Sequence, residues 1–503
     1  MSNPNAPADH RRRGRVLRGW LGFVALLAYA FFLGRHSIVV AGGSDSSGYL
    51  NSARLLARGK LSDDLRAPSE LAAAAQERPA HFTPSGFIPS SDRTRLHPTY
   101  PTGLPLHFAA AARLLGWKHG PRLVLLAAAV AAVWLCYRTG RELGLDPSLA
   151  AAGAAMLGAC PIFVFTSVQP LSDTLATTWT LAALYFACRS RRRTRWALAA
   201  GAAFAVAVLV RPTNLLIAPA LLALVGFAPR RLGAFLTGGV PGAVWLAVYN
   251  QALYGHPLRS GYGDIFAAFG LAYGAPTAVH FAKWLLLLLP AAALPLAVVP
   301  ILRREHRTRT WLALVLAFST ITGCYAFYEV SHEVWWCLRF ILPALPPLLL
   351  AALLGVETLA RGPGARWPRA FRPVAAGLLA AWAVAASWAQ SPGLGVYMIR
   401  HYEGAYQAGV ETAASRLPPG ALVAALSFSG TMYFYTDHPV LRWDQVEPDE
   451  FARYVALARR AGRPIGAVLF TSEEAEAFRH CPGPWSRLAE TGNVGVWLLG
   501  TAP

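Results

Sequence analysis

RSRRRTR, residues 189–195, stands between two apolar runs, 172–188 and 196–210. Arginines packed this densely into a short loop are retained on the cytoplasmic side of a membrane. The side on which this loop lies fixes the side of every other loop in the chain. The flanking runs are long and apolar enough to suggest membrane helices, since a hydrocarbon core of about 30 Å takes roughly 20 residues. Further runs of this kind lie at 16–40, 121–137, 149–167, 213–228, 232–254, 280–301, 310–328, 339–358 and 373–390, which makes eleven in all. The stretch 103–116 is apolar but short, and reads as a juxtamembrane or re-entrant helix. Counting it as a full span would invert all later loops and put RSRRRTR outside.

Composition agrees with this reading. Of 503 residues, 55% are hydrophobic and 14% charged, too few charges to cover a water-soluble protein of this length. The net charge of +20 comes mainly from arginine, which gathers at 11–18, 138–141, 189–195, 230–231, 303–309 and 361–372. These are the loops that eleven spans with a cytoplasmic N-terminus place inside. Position therefore ties the charge to topology and not to nucleic acid. Six cysteines, Cys136, Cys160, Cys188, Cys324, Cys337 and Cys481, show no metal-site or disulfide spacing. RRRGR at 11–15 followed by an apolar run has the form of a signal peptide, but no small-residue cleavage site follows directly, and an uncleaved first span is expected.

The fold expected is thus an α-helical polytopic membrane protein. It has a basic cytoplasmic N-terminus (1–15), a membrane domain (16–390) with an outer loop at 41–102, and an extracytoplasmic tail (391–503). The tail is nearly neutral. ALVAALSFSG (421–430) and PIGAVLF (464–470) read as buried strands and EPDEFARYVALARRAG (447–462) as a helix, so a small α/β domain is expected.

Polar residues at the outer ends of the runs are the candidates for chemistry. SDSSGYLNSARLLARGK (44–60) places Tyr49, Leu50, Ala53, Leu56 and Ala57 at helical spacing, with Asn51, Arg54 and Arg58 opposite, as in a helix lying on the outer membrane surface. Asp45 at its head is either an N-cap or a base made stronger by partial desolvation. His97 lies in RLHPTYPTGLP, a proline-rich turn. Asp173 opens a span, as a cap or a functional acid. Arg211, in VLVRPTNLL, is an isolated cation on the side poor in cations, and either snorkels to headgroups or holds an anion. Asn250 and Tyr254 close a span. His332 and Arg339 flank two tryptophans, and Arg339 begins a span where topology asks for no cation.

The order of these elements resembles the GT-C superfamily of integral-membrane glycosyltransferases, especially bacterial relatives of protein O-mannosyltransferases and lipid A aminoarabinose transferases. The resemblance rests on Asp45, Tyr49, Ala53 and Gly59; on Tyr100, Pro101, Thr102 and Gly103; on Ser172 and Asp173; on Arg211, Pro212 and Thr213; on Asn250, Gly255 and Pro257; and on Arg339, Phe340, Pro343 and Pro346. It covers about residues 16–390. Many relatives carry two acids in the first motif, whereas Ser44 precedes Asp45 here. The resemblance implies a polyprenyl-phosphate-linked sugar donor, a lipid, protein or glycan acceptor, surrounding membrane lipids, no nucleic acid, and a site on the outer face of a bacterial inner membrane. Asp45 would be the catalytic base of an inverting displacement and Arg339 the cation on the donor phosphate. Asp173 and His332 would support them, and Tyr49, His97, Arg211 and Asn250 would complete the substrate site. No cofactor is called for; a divalent metal is compatible but not required. A transporter or lipid flippase is the competing class, but it asks for charges near the midplane and often for repeated halves, and neither is evident.

Overall fold

The computed structural model describes residues 6–303, 308–361, 368 and 370–500, with side chains from residue 19 onward. Of the basic loop residues, Arg304, Arg307, Arg366 and Arg369 lie outside the described residues, as do positions 1–5 of the N-terminus.

The chain is mostly helical. Helix α1 (Ala6–His36) leads to α2 (Gly43–Ala57) and α3 (Ala72–Glu77) in the outer loop. The membrane part continues with α4 (Gly103–Glu142), α5 (Pro147–Ala159), α6 (Pro161–Ser167), α7 (Asp173–Arg189), α8 (Arg195–Val210), α9 (Ala218–Val225) and α10 (Pro229–Tyr254). Then come α11 (Gly274–Leu288), α12 (Ala293–Val298), α13 (Arg309–Tyr325), α14 (Leu345–Ala360) and α15 (Phe371–Gln390). The tail adds α16 (Ile399–Arg416), α17 (Ser429–Tyr435), α18 (Pro448–Arg460) and α19 (Thr471–His480).

Every apolar run is helical, but several are broken. Gly116, at φ 74°, interrupts α4 and separates 103–115 from the longer segment. Pro161 lacks the N–H that would carry α5 onward, and α5 and α6 meet at 61°. Among the described residues, five helices are long and apolar enough to cross a membrane, or seven if each bent pair is one span. Runs such as α7 and α8 fall short by length, although α7 is largely buried in the bundle and α8 packs one face into it. Helix length alone therefore supports five to seven crossings among the described residues.

Outside the bundle, strands β1 (Asp63–Asp64), β2 (Phe87–Pro89) and β3 (Arg95–Pro98) form an antiparallel sheet in the order β1-β3-β2. The tail holds β4 (Leu422–Ala424), β5 (Val440–Leu441), β6 (Ile465–Phe470), β7 (Trp485–Thr491) and β8 (Val494–Leu499), ordered β5-β4-β6-β8-β7. The β4 pairings with β5 and β6 are parallel, and β8 runs antiparallel to β6 and β7. The α/β tail is thus present, with one correction. The strand expected over 421–430 stops at Ala424, and Ser429 already begins α17.

Loop 41–102 and the tail share a core. Leu71, Ala75 and Phe82 of the outer loop pack with Leu422, Leu441, Phe451 and Leu469 of the tail, and Val410, Ala413 and Phe428 cover the other side of the sheet. Helix α2 corrects a second expectation. It does not lie on the membrane surface; it is enclosed. Tyr49, Leu50 and Ala53 pack against Leu104, Phe108 and Leu175 of the bundle. The opposite, polar side meets α17 instead of lipid headgroups: Asn51 Nδ2 donates to Gly430 O at 3.0 Å, and the Arg54 guanidinium bonds Phe434 O and lies 5.1 Å from its ring centroid. The periodicity of α2 was that of a two-sided packing element.

Candidate active site

Four charged groups from four separate elements meet at one end of the bundle, beside α2. Arg339 Nη2 is 2.7 Å from Asp45 Oδ2, and Arg339 Nη1 is 4.0 Å from Asp173 Oδ2. The other oxygen of Asp173 is bonded by Arg211 Nη1, which also reaches Arg339 O at 3.4 Å. The signs alternate, Asp45–Arg339–Asp173–Arg211, so the charges compensate within the cluster, as buried charges must. Arg339, Arg211 and Asp173 keep 13%, 14% and 2% of their side-chain exposure, while Asp45 keeps 30%. Asp45 is therefore the member a reactant can reach.

Local sequence explains why each group points inward. Asp45 and Asp173 lie in the first turns of α2 and α7, where the positive end of the helix dipole favours an anion. Neither side chain caps its helix, so the capping alternatives for both are set aside. Arg211 precedes Pro212, which disfavours helical backbone at the residue before it. Helix α8 accordingly ends at Val210, and Arg211 turns to φ −150°, ψ 106°. Arg339 sits in a 3₁₀ stretch, Trp335–Ala344, ahead of the proline-rich start of α14. Neither arginine snorkels. The Arg339 guanidinium lies 5.2 Å from the Trp336 ring centroid and 5.4 Å from that of Phe340, and Arg211 is 5.5 Å from Phe340. Arg339 Nε is closed off from solvent and has no hydrogen-bond partner among the described residues, an unsatisfied donor within the cluster.

The glycine pair ahead of Asp45 also has a physical reason. Gly43 adopts φ +52°, and a Cβ on Gly42 would fall 2.4 Å from Glu403 Oε2. Burial by itself would raise the Asp45 carboxyl; the Arg339 cation and a hydrogen bond from Tyr100 outweigh it and hold the group below its ordinary value.

Tyr49 joins the cluster as a brace, donating from its OH to Ser172 Oγ at 2.9 Å and stacking at a tilt on Tyr100, 4.9 Å between centroids. Tyr100 and Ser44 hydroxyls are 2.8 Å apart, and Tyr262 closes on Tyr100 at 6.0 Å. Three candidates are placed elsewhere. Asn250 Nδ2 donates to Pro257 O at 2.9 Å and holds the loop after α10. His97, on β3, packs edge-on against Tyr254. His332 faces α11, with Nδ1 3.4 Å from Thr277 Oγ1. Among the described residues, no three His, Cys, Asp or Glu side chains gather as a metal site would require.

In motif order and in fold, the chain resembles the GT-C membrane glycosyltransferases. The family model described as dolichyl-phosphate-mannose-protein mannosyltransferase matches residues 109–248, a stretch that carries Asp173 and Arg211. Among solved structures, ArnT from Cupriavidus metallidurans in the apo state superposes with a TM-score of 0.54 at 16% identity, over 96% of this chain and 98% of that one. The same protein bound to undecaprenyl phosphate gives 0.53 at 16% identity, over 95% and 98%. The Archaeoglobus fulgidus oligosaccharyltransferase tethered with an acceptor peptide gives 0.53 at 13% identity, over 95% of this chain and 74% of that one. These likenesses establish the fold. A search of curated proteins finds no match.

Proposed function

We propose that this protein is a membrane glycosyltransferase that moves a sugar from a polyprenyl-phosphate donor to an acceptor on the extracytoplasmic side, with inversion at the anomeric carbon. The observation that carries the reading is the alternating cluster of two acids and two arginines, with one exposed acid and one unpartnered arginine N–H. Phosphate is bound well by guanidinium groups, which present paired donors to its oxygens. The cluster sits at one end of the bundle beneath the tail domain, whereas a transporter asks for charges near the midplane. The undecaprenyl phosphate bound by the C. metallidurans protein is consistent with a lipid-phosphate donor here.

In this reading the donor phosphate shares the Arg339 guanidinium with Asp45. Its negative charge offsets the cation that holds Asp45 low, so Asp45 becomes more basic when the donor is in place. Asp45 then removes the acceptor's proton as the acceptor oxygen attacks the anomeric carbon. The bond from that carbon to the phosphate oxygen breaks, and Arg339 stabilises the charge that grows on the leaving phosphate. Asp173 and Arg211 hold Arg339 in place.

We assign the protein to the bacterial plasma membrane, with eleven spans, the basic loops in the cytoplasm and the tail domain outside. The acceptor is a lipid, protein or glycan of the envelope. Incubating the purified protein with polyprenyl-phosphate sugars and envelope acceptors, and following polyprenyl-phosphate release by mass spectrometry, tests the assignment.

A further inference from the structure

Glu403 on α16 has an Oε2 shut off from solvent and without a hydrogen-bond partner among the described residues. It belongs to the tail domain, yet it lies against Gly42 at the entrance to α2, three residues before Asp45. Leaving a buried carboxylate oxygen unpaired costs stability, and sites that break such rules are commonly functional. Its titratable neighbours are Asp45 from α2, Tyr406 from its own helix and Tyr435 from α17. No ion pair holds it among the described residues. Burial, then the Asp45 charge, push its carboxyl up to about 7.

We propose that Glu403 is the second carboxylate of the transfer site, lent by the tail domain, and that it receives the proton Asp45 takes from the acceptor. This rests on the glycosyl-transfer reading above. The acceptor O–H breaks and its proton moves to Asp45. The freed oxygen pair forms the bond to the anomeric carbon. The carbon–phosphate oxygen bond breaks, its pair leaving with polyprenyl phosphate. The proton then passes from Asp45, which the restored contact with Arg339 favours as an anion, to Glu403 and on to water. The first loop motif, with Ser44 where many relatives place an acid, thereby regains two carboxylates from different parts of the chain. Glu403 acts through Asp45 and is a positioning residue.

Two measurements on the full chain test this. In the first, kcat for polyprenyl-phosphate sugar is followed from pH 5 to 9. Wild type should rise as pH passes about 7, because only the ionised Glu403 can receive a proton. Glu403→Gln should lose that rise and fall about 10²-fold in kcat, with donor KM unchanged, and Glu403→Asp should restore the rise. A Glu403→Gln enzyme with the wild-type kcat and the same pH limb overturns the proposal. In the second, infrared titration should show a carboxyl band lost near pH 7, absent in Glu403→Gln and shifted to lower pH in Asp45→Asn. A band unchanged in Glu403→Gln also overturns it. If wild type transfers no sugar while the band titrates as expected, the transfer reading fails, and the relay with it; if wild type transfers normally and the Glu403 variants match it in kcat and pH limb, the relay alone fails.

Discussion

At the scale of single residues, the account turns on which group holds which charge. Asp45→Asn keeps the shape of the side chain and removes the base. The expected result is normal expression with a loss of about 10²–10⁴-fold in kcat, the usual contribution of general-base catalysis. Arg339→Lys keeps the charge but loses the paired donors, so it should raise donor KM and lower kcat, and Arg339→Ala should do both more severely. Wild-type behaviour of both variants would return Arg339 to the role of an interfacial anchor. The four charges were legible in the sequence because each is a polar residue where an apolar run begins or ends. Their pairing was not, since it joins positions 38 residues apart in Asp173–Arg211 and more than a hundred apart in Asp45–Arg339 and Asp173–Arg339. Glu403 carried no local signal: IRHYEGAYQAGVETAASR reads as an ordinary surface helix, and its special position comes wholly from docking against Gly42.

At the scale of elements, α2 is held between the bundle and α17. A Cβ on Gly430 would fall 2.2 Å from Ser47 Oγ and 2.8 Å from Ser85 O, so a larger residue cannot fit without parting the two helices. Gly430→Val should loosen the tail domain, seen as faster proteolysis of 391–503, and lower activity although it touches no charged group of the cluster. Glu403 supplies a second test with a definite sign. Its carboxyl titrates higher in the folded protein than its ordinary value, so folding favours the protonated form, and the stability this gives is lost as pH rises through about 7. Glu403→Gln should therefore raise the unfolding temperature at pH 8, and the difference should shrink towards pH 5. An equal effect at both values would remove the buried-carboxylate explanation. Sequence periodicity located α2 but misread its surroundings, because an amphipathic pattern reports two different faces and not what covers the polar one.

At the scale of the molecule, the helices and the tail sheet were foreseeable from run length and hydrophobic pattern, whereas the union of loop 41–102 with the tail was not. Phe82, 1% exposed, is built into the tail core from the outer loop. Phe82→Ala should cost that domain about 3–5 kcal/mol, as large-to-small changes in packed cores do. The eleven-span topology predicts that Arg192→Cys is not labelled from outside intact cells, whereas Ser486→Cys on the exposed edge strand β7 is. External labelling at 192 would invert the arrangement and separate the cluster from the outer face.

The most direct test of the central claim is release of polyprenyl phosphate from a polyprenyl-phosphate sugar by the purified protein, measured together with the sugar gained by the acceptor. The account predicts equal amounts of the two products, formed by wild type and nearly abolished in both Asp45→Asn and Arg339→Ala. Equal product formation by wild type and both variants would contradict it.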